Sequence, residues 1–245
     1  QVQQAIAWRR AHIETGGARG GEGNERAEEH DEFVGGAGGR GAEVPAGVGA
    51  ERDGDFGEAE AGALDLKARF PKEPLAWRLL GTIYTVQGRN TDAILALKRS
   101  VRLAPEDFDA LNSLGVNYQA TGNQPDALAS FSAAVRINPL CAEAHSNLGM
   151  TLQSLGRSQE AVASCQEAIT IKPDYAEGYN NLAIAHRSLG RFAEALQCAS
   201  RAVELRPNYV DALTNLALLL HQANRNLEAI ERIKQISEIR PLDGK

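Results

Sequence analysis

The chain has 245 residues, of which 43 % are hydrophobic and 24 % charged, and its formal net charge is −6. The excess of acidic residues argues against binding to nucleic acid, because nucleic-acid-binding proteins usually present a basic face. No apolar run approaches the ~18 residues that a membrane-spanning helix needs, and the N-terminal residues lack the apolar core of a signal peptide. We therefore expect no membrane partner and a cytoplasmic location.

The three cysteines, Cys141, Cys165 and Cys198, form no C-x-x-C pair and are odd in number. This pattern argues against a disulfide framework or a zinc site and favours reduced thiols that are mostly packed. The sequence also lacks the motifs of phosphate-binding loops, zinc proteases and serine hydrolases. We therefore expect no cofactor, no metal and no catalytic residue in this chain.

Residues 1–50 differ in composition from the rest of the chain. Fifteen of the 24 glycines lie before residue 63, among scattered charges and few large apolar residues. Such a segment buries too little apolar surface to fold, so we predict low-complexity, disordered chain, with a short helix at 1–13 as a weaker prediction. An alternative is that part of this stretch is translated in a wrong frame, which recovery of native peptides from 20–50 would exclude.

Residues 51–73 form a degenerate half-repeat. The stretch GDFGEAEAGALDLKARFP at 54–71 has the pattern of a second helix. The preceding stretch, 40–53, should supply a first helix but contains Pro45, Gly47 and Gly49. These residues oppose a helix by roughly 1 kcal/mol per glycine and 3 kcal/mol for proline. We therefore expect the helix at 54–71 to have no hairpin partner.

From residue 74 onward the sequence repeats itself every 34 residues, as HSNLGMTLQSLG at 145–156 and YNNLAIAHRSLG at 179–190 illustrate. A fixed period of this size is typical of a solenoid of stacked units. Five units follow from it: 74–107, 108–141, 142–175, 176–209 and 210–243. Prolines share the same spacing, at Pro71, Pro105, Pro139, Pro173, Pro207 and Pro241.

Each unit has the pattern of two amphipathic helices joined by a tight turn. Apolar residues recur at three- and four-residue steps, which is the period of a helix and not of a strand. The first helix is followed by glycine, or by Asn224 in the last unit, and both residue types adopt the positive φ that such a turn needs. Small residues recur where the helices should touch, at Gly81, Gly115, Gly149, Ala183 and Ala217, and at Ala93, Ala127, Ala161, Ala195 and Ala229.

These residues resemble the tetratricopeptide repeat (TPR) family, whose pattern is W-x2-L-G-x2-Y, then A-x3-F, then P. The resemblance implies an all-α fold, a right-handed α-solenoid of stacked helix-turn-helix hairpins. The departures are mild, with alanine in place of glycine at two positions and His186 and Leu220 in the tyrosine position. In the first unit the matching residues are Trp77, Leu80, Gly81, Tyr84, Ala93, Leu97 and Pro105.

Polar residues recur along the first helices, which line the concave face in the TPR family. The row Ser113, Asn147, Asn181 and Asn215 would form a ladder of groups able both to donate and to accept hydrogen bonds. We predict that this ladder binds the backbone of an extended peptide; the alternative is that it solvates the groove or bonds to the adjacent hairpin. The predicted groove residues are Asn112, Ser113, Gln119, Ser146, Asn147, Gln153, Asn180, Asn181, Arg187, Thr214, Asn215 and His221.

Other candidate residues fit structural roles better than chemistry. His145 and His186 stand at core positions of their units, and Cys165 stands where Phe131 stands one unit earlier. We predict core packing for all three. Cys198 is one position away from that core position, so we expect it to be partly exposed.

Three functions remain open from the sequence. The first is a non-catalytic scaffold whose groove binds a protein or an extended peptide. The second is the substrate-recognition region of a larger enzyme, because the NNLA and SNLG signatures resemble the repeats of O-linked N-acetylglucosamine transferases, and ARFPKEPLAWRLLG those of sulfotransferase-linked bacterial proteins. The third is self-association through uncapped solenoid ends. Since the chain starts at Gln1 and its only methionine is Met150, we expect a longer natural product.

Overall fold

The computed structural model describes the backbone of residues 50–239 and the side chains of residues 56–239. The predictions for residues 1–49, disorder and a short helix at 1–13, lie outside the described residues. Within 50–239 the chain forms eleven α-helices joined by short turns, and this part contains no strand. The described residues also include no helix with both the length and the apolar character that a bilayer crossing requires.

The helices follow one another as a single helix and five hairpins. The single helix is α1 (Ala50–Arg69), and each hairpin has a first helix of 13 residues and a second helix of 14. The hairpins are α2 (Pro74–Val86) with α3 (Asn90–Leu103), α4 (Phe108–Ala120) with α5 (Gln124–Ile137), α6 (Ala142–Ser154) with α7 (Ser158–Ile171), α8 (Ala176–Ser188) with α9 (Phe192–Leu205), and α10 (Val210–Gln222) with α11 (Asn226–Ile239).

The turn inside each hairpin uses the residue that the sequence predicts. Gly122 has a φ of 78°, and the glycines at the three equivalent turns have φ between 72° and 74°. In the last hairpin Asn224 takes the same role with a φ of 58°. Asparagine tolerates this left-handed region better than other residues with a side chain. The prediction of a positive φ at all five turns is confirmed.

The two helices of a hairpin touch at their small residues. A Cβ atom added to Gly115 would lie 2.6 Å from Cε1 of Phe131 on the facing helix, and Phe131 has no exposed surface. Gly149 faces Cys165 in the same way, and Cys165 is completely buried. The prediction that Cys165 is a core residue is therefore confirmed, and burial raises its pKa to about 12, so the thiol stays protonated.

Consecutive hairpins stack by packing the first helix of one hairpin against both helices of the hairpin before it. Each first helix from α4 onward contacts both helices of the preceding hairpin, whereas the second helices of neighbouring hairpins do not contact each other in the described part. An array with close first helices and separated second helices must curve, so the first helices lie on its inner surface. The polar rows of the first helices therefore face the concave side.

Helix α1 packs against α2 as a second helix packs in the later units. It begins at Ala50, four residues before the predicted stretch, and ends at Arg69. The Lys67 ammonium lies 4.7 Å from the centre of the Trp77 ring, and the Arg89 guanidinium lies 3.0 Å from the Glu60 carboxylate. These contacts fasten α1 to the first hairpin although glycines interrupt its sequence.

Trp77 and His145 occupy equivalent positions and make equivalent bonds. The indole Nε1 of Trp77 donates to the carbonyl oxygen of Pro71 at 2.9 Å, and Nε2 of His145 lies 3.0 Å from the carbonyl oxygen of Pro139. His145 is 9 % exposed, which confirms its predicted core role. Its partner is a backbone carbonyl, and the described residues include no group of His, Cys, Asp and Glu side chains that could hold a metal ion.

Replacement of Gly115 tests the close approach of the two helices. Gly115→Ala forces its new methyl group against the buried Phe131 ring, and overpacking of this kind costs about 1–3 kcal/mol. After the gain of about 1 kcal/mol in helix propensity from alanine, we expect the free energy of unfolding to fall by up to about 2 kcal/mol. Chemical denaturation followed by circular dichroism measures it.

Gly62→Ala in α1 is the matched control, because no atom lies within 4 Å of its added Cβ. This variant should keep or raise stability by up to about 1 kcal/mol, the helix-propensity difference alone. Equal denaturation midpoints for Gly115→Ala and Gly62→Ala would show that the glycine in the hairpin contact has no packing role.

Candidate functional site

The asparagines on the inner surface connect successive first helices. The side-chain nitrogen of each donates to the neighbouring first helix, to the residue 35 positions earlier. The bonds are Asn147 Nδ2 to Asn112 Oδ1 at 3.2 Å, Asn181 Nδ2 to Ser146 Oγ at 2.9 Å, and Asn215 Nδ2 to Asn180 Oδ1 at 2.9 Å. We call these three donors and three acceptors the amide ladder.

The ladder bonds are shielded on one side and open on the other. The acceptors Ser146 and Asn180 are buried, with 0 % and 4 % of their surface exposed. The three donor asparagines are half-buried. A hydrogen bond of this kind contributes about 1 kcal/mol to stability. The ladder therefore holds neighbouring hairpins in register. This is the alternative to peptide binding that the sequence left open, in which the asparagines bond to the adjacent hairpin.

The side-chain oxygens of the same asparagines have no hydrogen-bond donor within the described chain. Oδ1 of Asn147, Asn181 and Asn215 accepts no hydrogen bond from the described part of the chain. These oxygens are not among the buried side-chain atoms that lack a partner, so they reach the surface. The side-chain nitrogen braces the solenoid, and the oxygen remains available to a ligand.

A second row of hydrogen bonds crosses the repeat boundaries near the C-terminal ends of the first helices. Gln119 Nε2 donates to Thr151 Oγ1 at 2.7 Å, and Gln153 Nε2 donates to Ser188 Oγ at 2.7 Å. Asn117, which is completely buried, donates to Thr85 Oγ1 at 2.7 Å. The sequence analysis named Gln119 and Gln153 as groove residues but missed their partners.

The remaining predicted groove residues make local contacts or none. The Thr214 hydroxyl donates to the carbonyl oxygen of Val210 at 2.8 Å, and Nδ1 of His221 lies 2.8 Å from Oδ1 of Asn226. No side-chain bond to another described residue is seen for the half-buried Ser113 and Arg187. Among the predicted groove residues, Ser113 and Arg187 are therefore the ones whose side chains make no bond to another described residue.

Tyrosines and ion pairs flank the buried acceptors of the ladder. Tyr175 lies beside Ser146, and burial raises the pKa of the Tyr175 phenol to about 12. The Lys172 ammonium lies 3.4 Å from the Glu143 carboxylate and 5.1 Å from the centre of the Tyr175 ring. Because the ion pair is about half exposed, its contribution is under about 1 kcal/mol.

The next hairpin repeats this arrangement. Tyr209 lies beside Asn180, and the guanidinium of Arg206 lies 2.6 Å from Glu177 and 5.0 Å from the Tyr209 ring centre. An acidic residue stands near the start of each first helix from α4 onward on this side of the groove. The row consists of Asp109, Glu143, Glu177 and Asp211.

An apolar row runs beside the ladder, three residues further along each first helix from α4 onward. Met150 is 40 % exposed and Leu218 is 48 % exposed, and the other two members are half-buried. The sequence analysis missed this row, although its 34-residue spacing is visible in the sequence. We call it the apolar row, and its members are Val116, Met150, Ile184 and Leu218.

The fold and the inner surface define a class of protein, the helical-repeat solenoids that present a concave face. The matching family models identify the family. Models described as tetratricopeptide repeat match residues 46–108, 140–208 and 174–241. The chain belongs to the tetratricopeptide repeat family. A search of curated proteins found no match.

Solved structures of other tetratricopeptide repeat proteins have the same fold. A crystal structure of MamA is 25 % identical, covers 66 % of this chain and 95 % of its own, and has a TM-score of 0.58. TTC0263 from Thermus thermophilus is 25 % identical, with 69 % and 93 % coverage and a TM-score of 0.56. YrrB, described as having an unusual peptide-binding site, is 17 % identical, with 76 % and 95 % coverage and a TM-score of 0.59.

A double-mutant cycle tests the bracing role of the ladder. Asn181→Ala and Ser146→Ala each remove one partner of the 2.9 Å bond. If the bond braces the hairpins, the two changes together should cost about 1 kcal/mol less than the sum of the single costs. Urea denaturation of the four proteins measures the coupling.

Asn181→Ala combined with Ser113→Ala is the control cycle. No side-chain bond joins these two residues, so their effects should add within about 0.5 kcal/mol. A coupling near zero in both cycles would show that the Asn181 amide does not hold α8 to α6.

Proposed function

We propose that the concave surface binds an extended segment of another protein, and that the chain acts as a non-catalytic scaffold. The observation that carries the proposal is that the side-chain nitrogen and the side-chain oxygen of each ladder asparagine have different roles. Their nitrogens bond across the hairpin boundaries, while three oxygens at the surface have no donor from the described chain. Backbone N–H groups of a bound peptide are suitable donors, since every residue except proline carries one.

The spacing of the ladder suits an extended peptide. Packed helices lie about 8–10 Å apart, so ladder oxygens on neighbouring first helices are separated by about one such step. Three residues of extended chain span about 10 Å. We therefore expect one backbone bond to the ladder for about every three peptide residues, with little dependence on the peptide's sequence.

Side-chain selectivity would come from the rows that flank the ladder. The apolar row offers partly exposed Met150 and Leu218 to apolar side chains of the peptide. On the other side, Glu143 and Glu177 are paired with basic residues in exposed ion pairs. Such pairs are weak and exchangeable, so a basic side chain of the ligand can take the place of the lysine or arginine. We expect a preferred ligand with apolar and basic residues.

The comparisons support this class of function at the level of the fold. YrrB, which is described as having a peptide-binding site, has the same fold as this chain. The description of YrrB indicates a kind of ligand for that protein, but it identifies no binding residue in this chain. The choice of residues here rests on the ladder oxygens.

Paired substitutions separate bracing from binding. Asn147, Asn181 and Asn215 changed together to Ala lose both the nitrogen and the oxygen of each amide, whereas the same positions changed to Asp lose the nitrogen and keep oxygen acceptors. With about 1 kcal/mol per peptide bond, we expect the Ala variant to bind on the order of 100-fold more weakly, and the Asp variant to bind far better than the Ala variant.

The probe is an uncharged peptide selected from a random dodecamer library on the native chain, and fluorescence polarisation gives its affinity. Circular dichroism must show equal helicity in both variants at the temperature used. Equal affinity for the native chain and the Ala variant would contradict the proposal, as would a failure to select any peptide that the ladder substitutions affect.

A second function remains as a prediction from the sequence alone. The resemblance to repeats of O-linked N-acetylglucosamine transferases and sulfotransferase-linked proteins predicts that the solenoid recognises substrates for a catalytic domain outside these residues. An antibody against residues 74–243, used on a denaturing gel of the native cells, gives the size of the intact protein. A band near 26.3 kDa favours the scaffold, and a much larger band favours the enzyme.

The same experiment on fractionated cells tests the predicted cytoplasmic location, because the antibody signal should appear in the soluble fraction. Self-association through the solenoid ends also stays a prediction. Light scattering over a range of concentrations tests it, and a constant monomer mass would contradict it.

A further inference from the structure

A cavity of about 320 Å³ lies between the second helices α5 and α7, near the middle of the described solenoid. Leucines of α6 form its floor, since α5 and α7 do not contact each other. Its walls belong to second helices, so it opens on the convex side, and none of the predicted groove residues lines it. We call it the outer cavity, and its residues include Leu128, Leu148, Leu152, Arg157, Glu160 and Ser164.

The third hairpin carries a leucine where other hairpins carry a ring. The position of Leu152 is occupied by tyrosine in the first two hairpins and by histidine in the fourth, at Tyr84, Tyr118 and His186. Leu152 packs on the floor of the outer cavity together with Leu128 and Leu148. A leucine side chain is shorter than a tyrosine side chain, so the space that a ring would fill stays open.

The first hairpin shows how a ring is held at this position. The Arg89 guanidinium lies 4.1 Å from the centre of the Tyr84 ring, and Glu60 and Asp92 lie beside the same tyrosine. The residues two repeats after Glu60, Arg89 and Asp92 all line the outer cavity. They are Leu128, Arg157 and Glu160. The outer cavity is therefore the place of the Tyr84 ring, two repeats further along the chain.

The backbone at this place is the same in both hairpins. The amide nitrogen of Arg89 donates to the Tyr84 carbonyl oxygen at 2.8 Å, and that of Arg157 donates to the Leu152 carbonyl oxygen at 2.9 Å. The Arg157 guanidinium is also held in position by two bonds of 2.7 Å to the Glu160 carboxylate. A fixed cation therefore borders a space of the kind that an aromatic ring fills in the first hairpin.

We infer that the outer cavity binds a small molecule that has one aromatic ring and a short polar substituent. The ring lies on the leucine floor and against the Arg157 guanidinium, because a cation of this kind is attracted to the face of an aromatic ring. Ser132 and Ser164 line the same cavity, and their hydroxyls make no bond to another described residue. These hydroxyls can donate to the polar substituent or accept from it.

The size and the chemistry of the walls narrow the class of ligand. Small-molecule sites have volumes of about 300–1,000 Å³, so the outer cavity suits a compound with a single ring. Leu128 stands where Glu60 lies beside the Tyr84 phenol in the first hairpin. The deep end of the outer cavity is therefore apolar, and we expect the ring edge that reaches it to carry no hydroxyl.

Among the described hairpins, only the third combines the features of this site. The last hairpin also has a leucine and an arginine at these positions, Leu220 and Arg225. However, the small residues Ala163 and Ser164 are replaced there by a glutamate and an arginine. Larger side chains thus occupy the opening in the last hairpin, and we expect one ring-binding site in the described chain.

The probes are benzyl alcohol and its saturated analogue cyclohexylmethanol. We expect benzyl alcohol to bind the full chain at one site, measured as saturable shifts of backbone amide signals in NMR spectra of the isotope-labelled chain. Apolar burial alone would make the more apolar cyclohexylmethanol bind at least as tightly. Attraction between Arg157 and the ring face predicts the reverse, with benzyl alcohol about two- to fivefold tighter.

Three variants test the location of the ring. Leu152→Tyr restores the ring that the first two hairpins carry, so it fills the outer cavity and benzyl alcohol binding should be lost. Ala163→Gln, which copies Gln197 of α9 at an exposed position, narrows the opening and should weaken binding without changing the core. Arg157→Gln should weaken binding of benzyl alcohol about two- to fivefold and abolish the preference over cyclohexylmethanol.

Arg225→Gln is the matched control for Arg157→Gln. Arg225 makes the same two bonds of 2.7 Å to Glu228 in the last hairpin, so its removal breaks an equal ion pair away from the outer cavity. This variant should bind benzyl alcohol as the native chain does. Circular dichroism must show equal helicity in all variants at the temperature of the titration.

Three results would overturn the inference: amide shifts that do not saturate, equal binding of the two probes, or binding that neither Leu152→Tyr nor Ala163→Gln weakens. The ladder variant, with Asn147, Asn181 and Asn215 changed to Ala, separates the inference from the proposed function. Loss of benzyl alcohol binding in that variant would place the ring in the groove and contradict the inference alone. Loss of peptide binding with benzyl alcohol binding unchanged supports both.

Discussion

The structure depends on the close approach of helices at small residues that recur every 34 positions. Gly115 allows α4 to rest on the Phe131 ring of α5, and the alanines of the second helices leave room for the following first helix. No hairpin buries its apolar surface alone, so each one is stabilised by its neighbours, and stability is a sum of units and interfaces. The same packing brings the first helices together and separates the second helices, which gives the array its concave side.

Hydrogen bonds between polar side chains in these interfaces fix how one hairpin is aligned against the next, in addition to the apolar contacts. Hydrophobic attraction has no direction, whereas the Asn181 nitrogen bonds to one particular atom across the boundary, the Ser146 oxygen. The second row of hydrogen bonds, which includes the bond from Gln119 to Thr151, joins neighbouring hairpins in the same way, closer to the C-terminal ends of the first helices. Breaking one such bond leaves a partly buried polar group unpaired, which costs more than the bond contributes. The first helices are therefore already joined by polar bonds without a ligand, and order that exists before binding lowers the entropy cost of binding.

The sequence predicts much of the fold because its signals lie within a single unit. The turn glycines, Asn224 and the small-residue contacts each depend on neighbours less than 34 residues away, so periodicity and residue type were sufficient. The partners of the ladder asparagines and of Gln119 lie 28 to 35 residues away, as for Asn147 with Asn112. Their identity depends on how far one hairpin rotates against the next, and a pattern in the sequence does not give that rotation. The apolar row differs, because its 34-residue spacing is visible in the sequence. It was not predicted because the predicted groove residues were chosen among polar residues alone.

The two ends of the described solenoid are covered to different degrees, and this difference has a physical consequence. At the first end, α1 packs on α2 and adds the Glu60–Arg89 and Lys67–Trp77 contacts. At the other end, α11 has one buried residue, Ala229, whereas α9 has four. In a solenoid stabilised by nearest neighbours, an end unit that lacks one interface unfolds at lower free energy than the units inside. That hairpin also holds Asn215, the last donor of the ladder among the described residues, so this ladder bond lies in the least buried part of the described array.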